Sequence, residues 1–221
     1  MKFSAVLFDF DGTLYDSAPD IAWCANEVRR TQGLAPIDDT RIRTYIGDGS
    51  ERLLHRCLTD SLEGEVAAEM YAFARVAFAE LYLENLSNRS DWYPHAPELV
   101  ATLNAVGLPT ALVTNKPERF THQLLAQIDA ARHFSAVVCG DTLEARKPDP
   151  DMLLYAAEQA GVAPAECVMV GDSQIDIAAA RAAGMHAVFV THGYCRDTAA
   201  AAAEADTVCD SLAEVRAAIG L

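Results

Sequence analysis

Four apolar residues, Ala5-Val6-Leu7-Phe8, run directly into Asp9-Phe10-Asp11-Gly12-Thr13. An apolar run without alternation reads as a strand buried on both faces of a parallel sheet. In such sheets ligands sit just beyond the carboxyl ends of the strands. Side chains alternate along an extended segment, so Asp9 and Asp11 share one side while Phe10 turns back into the core. Gly12 then permits a sharp turn because it has no Cβ. A calcium loop is excluded on two counts: its sixth position must be glycine, where this chain has Leu14, and it follows a helix rather than a strand.

Three later segments add to this, two at strand tips and one in a loop. Leu112-Val113 ends in Thr114-Asn115, and Lys116-Pro117-Glu118 opens a helix behind it. There the Thr114 hydroxyl and the N–H groups of Thr114 and Asn115 are placed to hold an anion. Arg146-Lys147-Pro148-Asp149-Pro150 puts a basic pair in an extended loop before a helix starting near Asp151. Val168-Met169-Val170-Gly171 ends in Asp172-Ser173, with Asp176 in the first turn of an Ala-rich helix. Asp172 is an oxygen donor suited to a hard cation such as magnesium, and Asp176 caps and orients that loop.

The rhythm of the chain has two parts. Residues 15–86 predict helices over 16–32, 51–60 and 65–86 with no strand between them, which marks an inserted helical cap, its Met and aromatic stripes packed inward. From Pro97 onward helices alternate with strands ending near Thr114, Cys139, Gly171, Val190 and Val208. That alternation predicts an α/β fold, a doubly wound, Rossmann-like parallel sheet. The expected division is a core of residues 1–14 and 87–221 carrying a cap of residues 15–86. The alanine-rich run 199–205 suits an exposed helix or loop.

Taken in order, Asp-x-Asp-Gly-Thr, Thr-Asn, Lys-Pro and Gly-Asp-Ser-x-x-Asp resemble the haloacid-dehalogenase-like hydrolase superfamily, and the resemblance spans essentially the whole chain. It implies a strand order 5-4-1-2-3 and an aspartyl-phosphate mechanism. Asp9 would be the nucleophile and Asp11 the general acid and base. Thr114, Asn115 and Lys147 would hold the phosphoryl oxygens. Asp9, the Asp11 carbonyl and Asp172 would bind Mg2+, with Ser173 and Asp176 behind them.

Ile46-Gly47-Asp48-Gly49, Val113-Thr114-Asn115-Lys116-Pro117 and His192-Gly193-Tyr194 look more specifically like the phosphoglycolate phosphatase branch. The expected substrate is therefore 2-phosphoglycolate, giving glycolate and phosphate, with Gly47 letting a cap loop approach it. The alternative is a sugar-phosphate phosphatase, such as one acting on N-acetylmuramic acid 6-phosphate. A phosphomutase or a noncatalytic phosphate-binding regulator ranks below both. Asp48 has the wrong sign to hold a carboxylate, so Arg41, Arg43, Arg52 and His55 are the cap candidates for that group.

The formal charge of −15, from 17 basic and 32 acidic residues, disfavours nucleic acid and anionic membranes as partners. It also means that attraction for a small phosphate monoester must come from local cations. The N-terminal apolar stretch is interrupted by Asp9 and Asp11, which argues against a signal peptide, and no run reaches membrane-spanning length. Six scattered cysteines, without CxxC spacing, predict reduced thiols packed in the core. A cytoplasmic enzyme, monomeric or homodimeric, is expected.

Overall fold

A computed structural model describes residues 2–221. The strands that build the core are β1 (Ala5–Phe8), β4 (Thr110–Val113), β5 (Ala136–Val138), β6 (Cys167–Gly171), β7 (His186–Val190) and β8 (Thr207–Cys209). They form one six-stranded sheet in the order β5-β4-β1-β6-β7-β8, every pair parallel. Counting only these strands, the order contains the expected 5-4-1-2-3 arrangement, extended at the β7 edge by β8. Strand β1 is central and fully buried because all four of its residues are apolar. It runs level with both neighbours, Phe8 lying opposite Leu112 on β4 and Val170 on β6. The polar residues after these three strands therefore end at one height, above the same edge of the sheet.

Helices cover both faces: α5 (Ala96–Ala105), α6 (Glu118–Gln127), α7 (Asp151–Ala160), α8 (Gln174–Ala182), α9 (Thr198–Glu204) and α10 (Leu212–Ala218). The alanine-rich run is thus helical, in α9. Its Asp197 side chain accepts a hydrogen bond from the Ala200 N–H and caps the first turn. The buried side chains divide into two clusters on opposite faces of the sheet, one holding Val6 and Phe8, the other Ala5 and Leu7. That division is what period-two alternation in a strand covered on both sides produces.

Between β1 and β4 the chain leaves the sheet through β2 (Tyr15–Asp16) and returns through β3 (Asp91–Trp92), which pair antiparallel as a two-stranded ribbon. Tyr15 stacks on Phe10 at 5.4 Å, and Trp92 meets both rings edge-on. Four helices lie between these crossings: α1 (Ala18–Thr31), α2 (Asp39–Arg43), α3 (Gly49–Thr59) and α4 (Ala68–Glu84). The ribbon and the short α2 were not foreseen, since two-residue strands and one-turn helices leave no periodic signature.

Asp20 of α1, fully buried, accepts hydrogen bonds from the N–H groups of Arg89 and Ser90, both at 3.0 Å, and from the Arg89 guanidinium at 3.2 Å. It fastens the outgoing segment to the returning one. Helix α4 buries Ala74, Phe78 and Tyr82, as an inward stripe should, but Met70, Phe73 and Val76 are exposed. This corrects the expectation that its apolar residues all pack inward. Residues of this kind recur on both sides of α4, and only one side meets the rest of the molecule.

Candidate active site

A cavity of about 270 Å³ opens above the carboxyl ends of β1, β4 and β6. Asp9, Asp11, Thr114, Asn115, Lys147, Asp172, Ser173 and Asp176 all line it, and so does Gly47 from the loop before α3. Lys147 is its electrostatic hub. The ammonium, 2% exposed, donates to Asp9 Oδ1 at 2.9 Å, Asp176 Oδ1 at 2.7 Å and the Val113 carbonyl at 2.7 Å. Asp9 Oδ2 has no hydrogen-bond partner among the described residues.

Asp176 is satisfied by other groups too. Its Oδ2 accepts from the Ser173 N–H and hydroxyl while Ser173 Oγ accepts from the Asp176 N–H, a capping box that starts α8. Asp172 accepts from the Thr13 hydroxyl at 3.1 Å and the Tyr194 N–H at 2.6 Å. Two glycines make room for it. A Cβ on Gly12, whose φ is +93°, or on Gly193 would overlap the Asp172 carboxylate. His192, next to Gly193, has Nε2 3.0 Å from the Thr13 carbonyl and packs on the Tyr93 ring, so it braces the turn after β1.

Carboxylate oxygens of Asp9, Asp172 and Asp176 lie within 4.8 Å of one another, with a single lysine among them. Burial pushes the Asp9 carboxyl up to about 7, with Lys147 pulling the other way. Burial and the neighbouring Asp176 and Asp9 charges hold Asp172 well above the ordinary carboxylate range. An all-oxygen, electron-rich cluster with surplus negative charge fits a hard divalent cation, which would return these groups to their ionised forms. The Asp11 carbonyl accepts no hydrogen bond among the described residues and is open to the same ion.

On the β4 side the structure corrects one of the expected anion donors. The Thr114 N–H is committed to the Val138 carbonyl at 2.9 Å, so it is not available to a ligand. The Thr114 hydroxyl accepts from the Lys116 N–H, which leaves its own proton to donate. The Asn115 N–H has no hydrogen-bond partner among the described residues, while the Asn115 amide clamps the Lys147 backbone at both N–H and carbonyl and reaches the Gly47 carbonyl at 3.1 Å. Asn115 thus sets where Lys147 stands and ties the Gly47 loop to the core.

This geometry agrees with comparison to known proteins. The haloacid dehalogenase-like hydrolase profile matches residues 6–190. The chain belongs to that family. The hydrolase is 40% identical over 211 residues to a phosphoglycolate phosphatase of Nitrosococcus oceani, covering 96% of this chain and 94% of the relative. It is 36% identical over 232 residues to the phosphoglycolate phosphatase of Escherichia coli K12, covering 98% and 92%. A crystal structure of a predicted phosphoglycolate phosphatase from Haemophilus somnus 129PT matches with a TM-score of 0.92 at 32% identity, covering 99% and 98% of the two chains.

Two features of the hydrolase's site escaped sequence reasoning. Lys116 donates to both oxygens of Asp11, at 3.0 and 3.2 Å, and to the Tyr82 hydroxyl of α4 at 2.6 Å, its ammonium 4.7 Å from the Tyr82 ring centre. Lys116 was legible as the opening of a helix and as part of a branch motif, with no contact assigned to it. Its long side chain returns across the cavity, and Tyr82 comes from an element 34 residues away. Second, Asp48 is not an isolated negative charge. It pairs with Arg56 of α3 and, at 2.5 Å, with Arg196 of the loop after β7, and these arginines hold it below the usual carboxylate range despite its partial burial.

The cap candidates for a carboxylate do not reach the cavity. Arg41 pairs with Asp60, Arg43 with Asp16, and Arg52 with Glu63 and Glu65, while His55 stacks on Tyr71 and accepts from the Val66 N–H. All six cysteines are unpaired, and five are buried. No helix among the described residues is long and apolar enough to cross a membrane.

Proposed function

We propose that this hydrolase is a magnesium-dependent phosphatase that cleaves 2-phosphoglycolate to glycolate and phosphate through an aspartyl-phosphate on Asp9. The observation that carries the reading is the juxtaposition of Asp9 and Asp172, from two separate strand ends, with Lys147 from the loop before α7, one Asp9 oxygen being bonded to Lys147 and the other without a partner among the described residues. That second oxygen attacks phosphorus, and the bond from phosphorus to the alkoxide oxygen breaks. Asp11 delivers a proton to the departing oxygen, which requires it to exchange a Lys116 contact for one to the substrate. Asp11 then takes a proton from water, whose oxygen attacks phosphorus and releases Asp9.

Lys147, the Thr114 hydroxyl and the Asn115 N–H offset charge on the equatorial phosphoryl oxygens. Asp9, the Asp11 carbonyl and Asp172 would hold the magnesium ion, which when bound supplies the positive charge that lets a carboxylate and a phosphate approach each other. Residues 15–86 act as a cap: Gly47, Leu53, Phe78 and Tyr82 close the cavity from above and keep bulk solvent from the site while the substrate is bound.

A sugar phosphate is the second reading, favoured by the apolar walls contributed by Ile21, Ile46, Leu53, Phe78 and Phe120. Two measurements test these statements. Rapid acid quench during turnover of a phosphate ester labelled at phosphorus leaves label bound covalently to Asp9 if the covalent route is right, and a quenched protein free of label refutes it. Specificity constants across a panel of phosphate monoesters place 2-phosphoglycolate among the best substrates, and a poor rank there overturns the substrate while leaving the reaction class.

A further inference from the structure

Three cationic side chains line the cavity: Lys147, Lys116 and Arg196. The first faces Asp9 and Asp176 and the second Asp11, so both belong to the carboxylates that do the chemistry. Arg196 stands apart. Its side chain, one-third exposed, meets only Asp48 among the described residues, across the gap between the loop after β7 and the loop that enters α3. Asp48 is shared with Arg56, whose side chain is almost fully buried and also donates to the Tyr45 and Leu62 carbonyls. Two guanidiniums on one carboxylate leave one positive charge unbalanced at the cavity wall, in a chain whose formal charge is −15. If Arg196 swings away, Asp48 keeps Arg56 and is not stranded.

We infer that Arg196 is a specificity determinant that anchors the substrate's second, non-reacting anionic group, exchanging Asp48 for a carboxylate on the phosphate ester. The inference rests on the phosphatase reading above and deepens it. It replaces the four cap residues picked from the sequence with a core residue. It also turns Asp48 from an obstacle into a placeholder, a carboxylate occupying Arg196 until the substrate's own carboxylate arrives. Arginine suits the role, because its planar fork accepts either carboxylate with little loss of geometry. The class of substrate selected is a phosphate monoester bearing a carboxylate, which describes both 2-phosphoglycolate and N-acetylmuramic acid 6-phosphate.

The test compares esters that differ in that group alone: 2-phosphoglycolate against 2-hydroxyethyl phosphate, and N-acetylmuramic acid 6-phosphate against N-acetylglucosamine 6-phosphate. The readout is the ratio of kcat/KM within each pair, for the wild type, Arg196→Gln and Arg196→Lys. The expected result is a wild-type preference for the carboxylated member of at least one pair. Arg196→Gln lowers that ratio tenfold or more, the scale of one charge-assisted hydrogen bond, mainly through KM, and Arg196→Lys restores part of it.

A fall of both members in step would make Arg196 a mere latch between loops and overturn the inference, as would an unchanged ratio. A wild type that selects only the muramic member, with the ratio collapsing in Arg196→Gln, refutes 2-phosphoglycolate as substrate and upholds the anchor. A wild type indifferent within both pairs overturns the anchor and 2-phosphoglycolate together.

Discussion

Replacing Lys147 by methionine keeps most of the unbranched stem and removes the terminal ammonium with its charge. In the folded protein this deletes three contacts of 2.7–2.9 Å, to Asp9, Asp176 and the Val113 carbonyl, and leaves three clustered carboxyl groups with no cation among them. Breaking a buried ion pair from one side costs about 3–5 kcal/mol. In a chain of this size each kcal/mol moves Tm by about 2–4 °C, so Lys147→Met is expected to melt roughly 6–20 °C below the wild type near pH 7.5 without divalent ions. The deficit should shrink at pH 5. The folded-state pKa of Asp9 is already raised to about 7 from 3.8, so the folded form binds the extra proton between those values, and that proton stands in for the missing ammonium charge.

Adding Asp176→Asn to Lys147→Met tests the cause. An amide oxygen still accepts from Ser173, yet one unpaired charge is gone, so the double variant should regain about 1–3 kcal/mol relative to additivity. Turnover should remain at least about 10²-fold down in both, because the phosphoryl oxygens have lost a preorganised cation. Calorimetry of the four proteins, with hydrolysis assays alongside, decides the matter. Strict additivity, or a Lys147→Met enzyme within threefold of wild-type turnover, would refute the reasoning.

Asp9→Asn is expected to abolish turnover at nearly unchanged volume while the circular dichroism spectrum and cooperative melting persist; measurable steady-state hydrolysis would remove the nucleophile. Magnesium should raise Tm more at pH 8 than at pH 5, because binding requires Asp9 and Asp172 ionised while burial holds them protonated, so that lower pH sets protons against the ion. Equal shifts in a thermal titration at the two pH values would contradict this. Asp20→Ala orphans the N–H groups of Arg89 and Ser90, costing about 1–3 kcal/mol for each that stays dry. Faster limited proteolysis near residues 85–90 is the expected sign, and unchanged cleavage would show that Asp20 does not fasten the returning segment.

The strands were legible because their chemistry is local. Ala5–Phe8, Thr110–Val113 and Cys167–Gly171 are apolar apart from the leading Thr110, and the polar residues that follow each of them mark the ligand end of a parallel sheet. Asp9, Asp11, Thr114 and Asp172 could be singled out for the same reason, since a carboxylate or hydroxyl at such a tip has no structural role that demands it. Lys147 needed the company of the other motifs, a lone lysine beside prolines being ordinary loop chemistry.

Sequence alone therefore determined the fold class, the end of the sheet at which the cavity opens and the set of oxygen donors gathered there, all of which follow from period and residue type along short stretches. Only the tertiary structure decided the partners: Lys116 on Asp11, Asn115 on the Lys147 backbone, Tyr82 over Lys116 and Arg196 on Asp48. Long flexible side chains can reach any of several neighbours. Which one they meet depends on the register of the strands and on how the helices inserted at β2 and β3 are folded back over the sheet, and neither quantity is encoded within a single window of the chain.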